Sequence, residues 1–417
     1  MEPDVQGRAT VRRHWAPVVG GVLFARLFIN HPLIVQTFGA LLVPLSVAMH
    51  TDRGHLSLAL SLHLLFQGAV SPVYGVMLDR YGVRRVLIPC LVLSGALLAC
   101  AAMASNLAAL TALYVLLGLT SAAAAPTAWS KIVTMVVHRR RGLALSALST
   151  TGGIGGAVMP MLAAVLIGAV GWRGTYVWLG VLMVLGTVPV LLAVVPRDAA
   201  PAARAGGFGG SSLVDILRRP QFWAMVAPAC AIGVACAGLA VHYIPMLMDR
   251  GVSLQQATAF NALPNLMLVV TALVFGHFID RTRPVLAGIA LSWAAACGFL
   301  VLAFGTGWAI IPGAAVAGCA GGAEIGLIGY LCTRYFAPED FGKTYGLAFF
   351  FWILSQSVGA AAFGFAYAAT GDYVVPLAGS AIALLLAPLA LTRLGPYLFH
   401  GRVHEPQGPV LSNEGRA

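Results

Sequence analysis

The stretch Gly75-Val-Met-Leu-Asp79-Arg80-Tyr-Gly82-Val-Arg84-Arg85 sets a short charged loop directly behind an apolar run, and Gly276-His-Phe-Ile-Asp280-Arg281-Thr-Arg283 repeats its frame later in the chain. The two Gly-x-x-x-Asp-Arg cores lie 201 residues apart in a chain of 417. A charged loop at matching places in two halves, each time behind an apolar helix, is the pattern of an internally duplicated membrane carrier. A smaller repeat agrees with it: Gly142-Leu-Ala and Gly346-Leu-Ala are offset by 204 residues.

Composition points the same way. Hydrophobic residues make up 59% of the chain and charged residues 9%, against roughly 45–50% and about 25% in soluble domains. A water-soluble fold has too few charges here to cover its surface. About 20 apolar residues span the hydrocarbon core, and twelve segments reach that length: 16–49, 55–78, 85–104, 107–136, 142–168, 173–195, 221–248, 254–280, 284–304, 307–336, 343–369 and 373–395. The chain therefore reads as an all-α integral membrane protein. Its twelve transmembrane helices fall into a half at 1–195 and a half at 221–417 with a short tail, joined by the polar, Gly/Pro-rich linker 196–220.

Cations set the expected orientation. The N-terminus, the even-numbered gaps and the C-terminus hold 20 of the lysines and arginines, whereas the odd-numbered gaps hold only Arg53, Arg173 and Arg250. By the positive-inside rule both termini and the linker are cytoplasmic. The net charge of +11 is scattered over loops rather than gathered on one face, which makes topology a better explanation of it than nucleic acid. All seven cysteines fall within apolar segments without a Cys-x-x-Cys pair and read as small packing residues. The first segment is too long for a signal-peptide core and lacks a cleavage pattern, so it is read as retained. A multi-pass protein of a bacterial inner membrane, working as a monomer, is the expectation.

Twelve helices in two sixes, a long central loop and the Gly75…Asp79-Arg80…Gly82…Arg84-Arg85 motif resemble the major facilitator superfamily. Further stretches are similar to its bacterial monocarboxylate-porter and oxalate/formate-antiporter-like members: Arg140-Arg141-Gly142-Leu143-Ala144, Gly171-Trp172-Arg173, Phe222-Trp223, His242-Tyr243-Ile244-Pro245, Asp249-Arg250-Gly251, and Arg334-Tyr335-Phe336 with Phe341-Gly342. The resemblance implies that the motif loop latches the cytoplasmic side shut when the protein faces outward. Physically, Asp79 is able to accept from N–H groups at a neighbouring helix start, while Arg80, Arg84 and Arg85 pair with carboxylates or C-terminal carbonyls. Gating is accordingly assigned to Asp79, Arg80, Gly82, Arg84 and Arg85, and to Asp280 and Arg281 in the repeat. Glycines at every fourth position, Gly318, Gly322 and Gly326 in helix 10 and Gly152 and Gly156 in helix 5, predict close helix packing.

Candidate site residues follow from the cost of placing polar groups in the bilayer, roughly 2.5–3.5 kcal/mol for a charge at its centre. Glu324 is the sole acid deep in a predicted helix, ten residues before Arg334, or ~15 Å from the helix end. It is the candidate proton carrier. Arg26 in helix 1 lies at a similar depth and shares a face with Asn30, with His31 beside them. A guanidinium holds a carboxylate through two parallel bonds, so Arg26 is assigned to an organic anion, or to neutralising Glu324. Lys131 either lines the cavity or snorkels. His242 and Tyr243 near the outer end of helix 7 bind substrate or gate. Asn261 and Asn265, like Gln67 and Gln356, bind substrate or bridge helices. His63 and His277 are placed near helix ends, at the interface.

The basic residue that small-carboxylate carriers of the resembled families often carry midway through helix 8 or 11 is missing: no Arg or Lys occurs between Arg250 and Arg281, nor in helix 11 after Lys343. Monocarboxylates, aromatic acids and neutral solutes stay open as cargo. An ATP-driven pump is disfavoured because no Gly-x-x-x-x-Gly-Lys-Ser/Thr loop is present. An enzyme is disfavoured because no nucleophile–base cluster or metal-spaced histidines occur, and no cofactor is called for. The expected function is secondary transport of a small organic anion, a monocarboxylate, coupled to protons. An exporter or facilitator of a neutral or amphipathic molecule, or a transport-fold sensor, is the alternative.

Overall fold

Without water to satisfy it, backbone inside a bilayer closes its own hydrogen bonds as helix. The structure, a computed structural model, describes residues 15–136, 141–195, 211–278 and 284–398, and no strand occurs among them. Helix 2 is Arg53–Tyr81, helix 3 Val83–Cys100, helix 7 Pro220–Asp249, helix 9 Pro284–Phe304, helix 11 Phe341–Thr370 and helix 12 Val374–Leu386. Eleven stretches are long and apolar enough to cross a membrane, and one of them, Thr150–Val194, is 45 residues long. At 1.5 Å per residue that is about 68 Å, twice a hydrocarbon core. It is broken at Gly171, where φ is 68° and a side chain is disfavoured, so helices 5 and 6 are separate and the spans number twelve.

Four spans expected as single helices are interrupted. Helix 1 consists of Trp15–Leu27, a π-helical turn His31–Gln36 and Thr37–Ala48. Helix 4 consists of Leu107–Ser121, a 3-10 turn Ala122–Ala124 and Pro126–Val136. Helix 8 divides at Asn261 into Leu254–Phe260 and Ala262–Phe278, and helix 10 at Gly318 into Ile310–Ala317 and Cys319–Tyr335. Pro32, Pro126 and Pro264 sit in the first turn after three of these breaks, where the missing N–H leaves no bond unmade. The break at Gly318 has another setting: the Pro264 backbone lies where a β-carbon would be.

Polar residues turn inward and apolar ones outward. Asn30, His63, His242, Asn261 and Gln356 are buried, while Val76, Leu185, Phe304 and Val358 are exposed, as suits a molecule whose solvent is lipid. Helix 2 packs on helices 4 and 11, helix 7 on helix 11, helix 3 on helix 6 through Gly95 and Gly180, and helix 5 on helix 8. Gly318 and Gly322 meet the backbone of helix 8 at Pro264 and Leu268. In helix 5 the close contacts to helix 8 belong to Gly153 and Gly156 and one to Pro32 of helix 1 belongs to Gly155, whereas Gly152 meets nothing within 4 Å. One residue is about 100° of rotation, enough to take Gly152 off that face.

Candidate functional site

The π-helical turn of helix 1 concentrates unmet hydrogen-bonding capacity. Turns of this kind are uncommon and cluster at functional sites. Asn30 is 4% exposed and Gln36 7%. Among the described residues, Asn30 Oδ1, Gln36 Oε1, Arg26 Nε and His63 Nε2 are buried without a hydrogen-bond partner. The Tyr114 ring links helix 1 to His63, its centre 5.5 Å from that of Phe38 and 6.2 Å from that of His63. The expectation that His63 lies at the interface is wrong: it is fully buried, ten residues into helix 2, with Nδ1 3.3 Å from the Tyr114 carbonyl oxygen. Helix 2 begins at Arg53, earlier than the apolar pattern indicates, and that sets His63 deeper.

Helix 8 meets this region from the other side. Asn261 Nδ2 donates to the Gly156 carbonyl (3.3 Å) and Asn265 Nδ2 to the Asn261 carbonyl (2.8 Å). A β-carbon on Gly156 would collide with Asn265 Oδ1 and come within 3.0 Å of Gln36 Nε2. Gly156 is thus the gap over which Gln36 of helix 1 and Asn265 of helix 8 converge. Glu324 belongs to the helical piece Cys319–Tyr335; its side chain lies outside the described part of the chain.

His242 and Tyr243 occupy the end of the molecule where Arg53 begins helix 2. Arg53 makes two bonds to the Asp249 carboxylate, 2.6 and 2.7 Å, and a third to Tyr373 Oη, 3.0 Å. Its guanidinium also lies 4.3 Å from the ring centre of Tyr367. His242 Nε2 lies 3.0 Å from the Ala360 carbonyl, which only accepts, so Nε2 carries the hydrogen; Nδ1, 3.2 Å from Tyr373 Oη, then accepts from it. Ser57 Oγ is 3.3 Å from Nε2. The hydroxyl of Tyr243 is buried without a partner. Sequence reasoning treated Arg53 and Asp249 as loop charges; they are 196 residues apart, and nothing local marks them as a pair.

At the opposite end, Asp79 Oδ1 accepts from Lys131 Nζ at 2.6 Å. Lys131, read above as lining the cavity or snorkelling, is thus tied to Asp79 of the motif loop. Arg84 donates to the Val195 carbonyl (3.0 Å) at the end of helix 6, Arg80 lies over the Tyr81 ring at 5.4 Å, and Arg85 is exposed. Gly82 has a φ of 85°, a conformation that favours glycine and lets helix 3 start at once. Asp280 and Arg281 lie outside the described residues. Hydrogen bonds joining helices 1–6 to helices 7–12 include those of Arg53, Ser57, Gly156 and Ser61, the last accepting from Ser357 at 2.7 Å.

A family model described as Major Facilitator Superfamily matches residues 29–360. The chain belongs to that superfamily. Membership places this multi-pass membrane protein in a transporter family and not among enzymes. A mutant of the nucleoside transporter NupG superposes with a TM-score of 0.75 at 14% identity, over 90% of this chain and 99% of that one. A bacterial homolog of the human lysosomal transporter Spinster, inward-facing and occupied, gives 0.67 at 16% identity, over 90% and 96%. These likenesses show the major facilitator fold. Among curated relatives, the uncharacterized MFS-type transporter YcxA of Bacillus subtilis is 25% identical over 186 residues, 44% of this chain and 45% of that protein. The riboflavin transporter RibJ of Trypanosoma cruzi is 28% identical over 205 residues, 44% and 43%. The matched stretch spans about half the length of these relatives or less.

Proposed function

We propose that the protein is a secondary active transporter that moves a small organic anion, a monocarboxylate, by alternating access. Two six-helix halves, 1–195 and 221–417, rock about the central site while the linker 196–220 joins them. The protein works as a monomer in a bacterial inner membrane with both termini cytoplasmic, as the cation distribution favours. The observation that carries the reading is the cluster of buried, unpartnered polar atoms at the interrupted helix 1: Arg26 Nε, Asn30 Oδ1, Gln36 Oε1 and His63 Nε2. Desolvated polar groups without partners are costly unless a ligand supplies the bonds. Arg26 brings the fixed positive charge that suits a carboxylate, and Asn30 and Gln36 contribute neutral bonds. Glu324, the deep acid of helix 10, carries the proton. Asp79 with Lys131 gates one end and Arg53 with Asp249 the other.

A neutral, planar cargo is the second reading. It is favoured by the missing cation in helix 8 and by the riboflavin and nucleoside in the names of two of the proteins above. The test is uptake by proteoliposomes under an inward proton gradient, with carboxylates and their neutral amides offered side by side. Accumulation of the acid alone, weakened by Arg26→Lys in folded protein, is expected. Equal accumulation of acid and amide, or acid uptake untouched by Arg26→Lys, refutes the anion assignment.

A further inference from the structure

Helix 11 carries four aromatic rings on one face. Phe341 and Tyr345 have ring centres 5.7 Å apart at 15°, Tyr345 and Phe349 6.5 Å at 14°, and Phe349 and Trp352 5.3 Å at 31°. The spacing of four, four and three residues keeps them in line. The neighbours of the helix fix where this face looks. Ile353 and Ser357 meet helix 2, at Gly68 and at the Ser61 carbonyl, while Ser355 and Gly359 meet helix 7, at Gly233 and Val234. At about 100° per residue, the rings lie in the arc between those two contacts. Val358 and Phe365, exposed and apolar as lipid-facing residues are, fall on the far side. The ladder therefore faces the interior between the halves, running from the Asp79 end towards the middle.

Two features separate this face from ordinary packing. Tyr345, Phe349 and Trp352 are only partly buried although they face inward, and Trp352 Nε1 is out of contact with solvent without an acceptor. An indole N–H so placed normally has a partner. Phe349 and Trp352 pack against the buried cluster that includes Leu33, Leu64 and Ile353, and Trp352 also packs against the one that includes Phe222 and Met225 of helix 7.

We infer that the helix 11 ladder is a stacking platform for the cargo and that Trp352 Nε1 donates a hydrogen bond to it, which makes the substrate class an aromatic or heteroaromatic carboxylate rather than a short aliphatic one. The inference rests on the transport reading given above and narrows its substrate. The flat face of the ring stacks on Phe349 and Trp352, and the carboxylate is left for Arg26.

The experiment measures binding by calorimetry to the full-length protein in lipid nanodiscs, with benzoate and indole-3-acetate set against cyclohexanecarboxylate and octanoate, and with the amide of each. Aromatic acids are expected to bind about 3- to 10-fold more tightly than their saturated counterparts, the range of an aromatic pair. Trp352→Leu erases that preference, whereas Trp352→Phe keeps most of it; thermal melting of each variant verifies folding. Equal affinity for saturated and aromatic acids, no binding of any aromatic ligand, or a preference that survives Trp352→Leu overturns the inference. Acids of both kinds binding alike while amides fail would leave the anion reading standing without the ladder. Aromatic acids and amides binding alike would leave the ladder standing without the anion.

Discussion

Breaking the Arg53–Asp249 pair should open the molecule at that end. In Asp249→Asn the carboxylate that takes two bonds from Arg53, at 2.6 and 2.7 Å, is replaced by a neutral amide able to accept only one of them. The pair is neither fully wet nor dry, with side-chain exposures of 12% and 32%. Exposed pairs are worth about 0.2–1 kcal/mol and removing one partner of a buried pair costs about 3–5 kcal/mol, so about 2 kcal/mol is expected here. Arg53 keeps Tyr373 and Tyr367, which holds the figure below the buried limit. Because the two residues belong to helices 2 and 7, the loss falls on the state in which this end is shut. About 2 kcal/mol is a factor of about 30 in the ratio of states. The assay is labelling of a single cysteine introduced beside Tyr243 by an impermeant maleimide in right-side-out vesicles. Labelling in Asp249→Asn should rise many-fold, and exchanging the charges, Arg53→Asp with Asp249→Arg, should restore much of the protection. Unchanged labelling, with melting unchanged as well, would refute the reasoning, since the pair would then be a surface ornament of both states.

Glu324→Gln should abolish uphill, proton-driven uptake and leave counterflow exchange partly intact; proton-driven accumulation at the parental level would exclude Glu324 as the carrier of the proton. Asp79→Asn replaces the carboxylate that Lys131 bonds with a neutral amide and should raise cysteine accessibility at the Asp79 end without loss of substrate binding, and identical labelling would reduce the motif loop to a topological signal. Gly156→Ala places a methyl group against Asn265, which is itself tied to the Asn261 carbonyl, so a cost of about 1–3 kcal/mol in stability is expected; an unaltered melting temperature would show that the contact yields freely.

How far the sequence carried can be seen residue by residue. The twelve spans were legible because lipid demands an uninterrupted apolar length, and the Gly171 turn because two such lengths need a break between them. The motif loop was legible as a unit, and Arg84 has found a helix-end carbonyl. Three features were not. The interruption of helix 1 at Pro32 hides inside a hydropathy window that averages over it. The burial of His63 depends on where helix 2 starts, which is fixed by the Asp52 side chain accepting from the His55 N–H. The Arg53–Asp249 pair unites residues that each look like ordinary end-of-helix charges, and only the packing of helices 2, 7 and 11 brings them within reach. The choice of Gly153 over Gly152 is of the same kind: a hydropathy pattern has no means of fixing rotation to within one residue.

The division of helix 1 has a mechanical consequence. Its first piece is held by helix 6, with Gly21 against Val190 and Val194, while its second piece also abuts helix 7, where Gly39 lies 2.8 Å, measured from a β-carbon position, from the Val241 carbonyl. A displacement of helix 7 therefore pushes on one lever arm and not on the other, and the bend falls between Leu27 and Thr37. Asn30, His31 and Gln36 sit in that elbow. On the transport reading proposed above, a ligand that bridged them would splint the joint, and occupancy and movement of the halves would be tied through a few turns of a single helix.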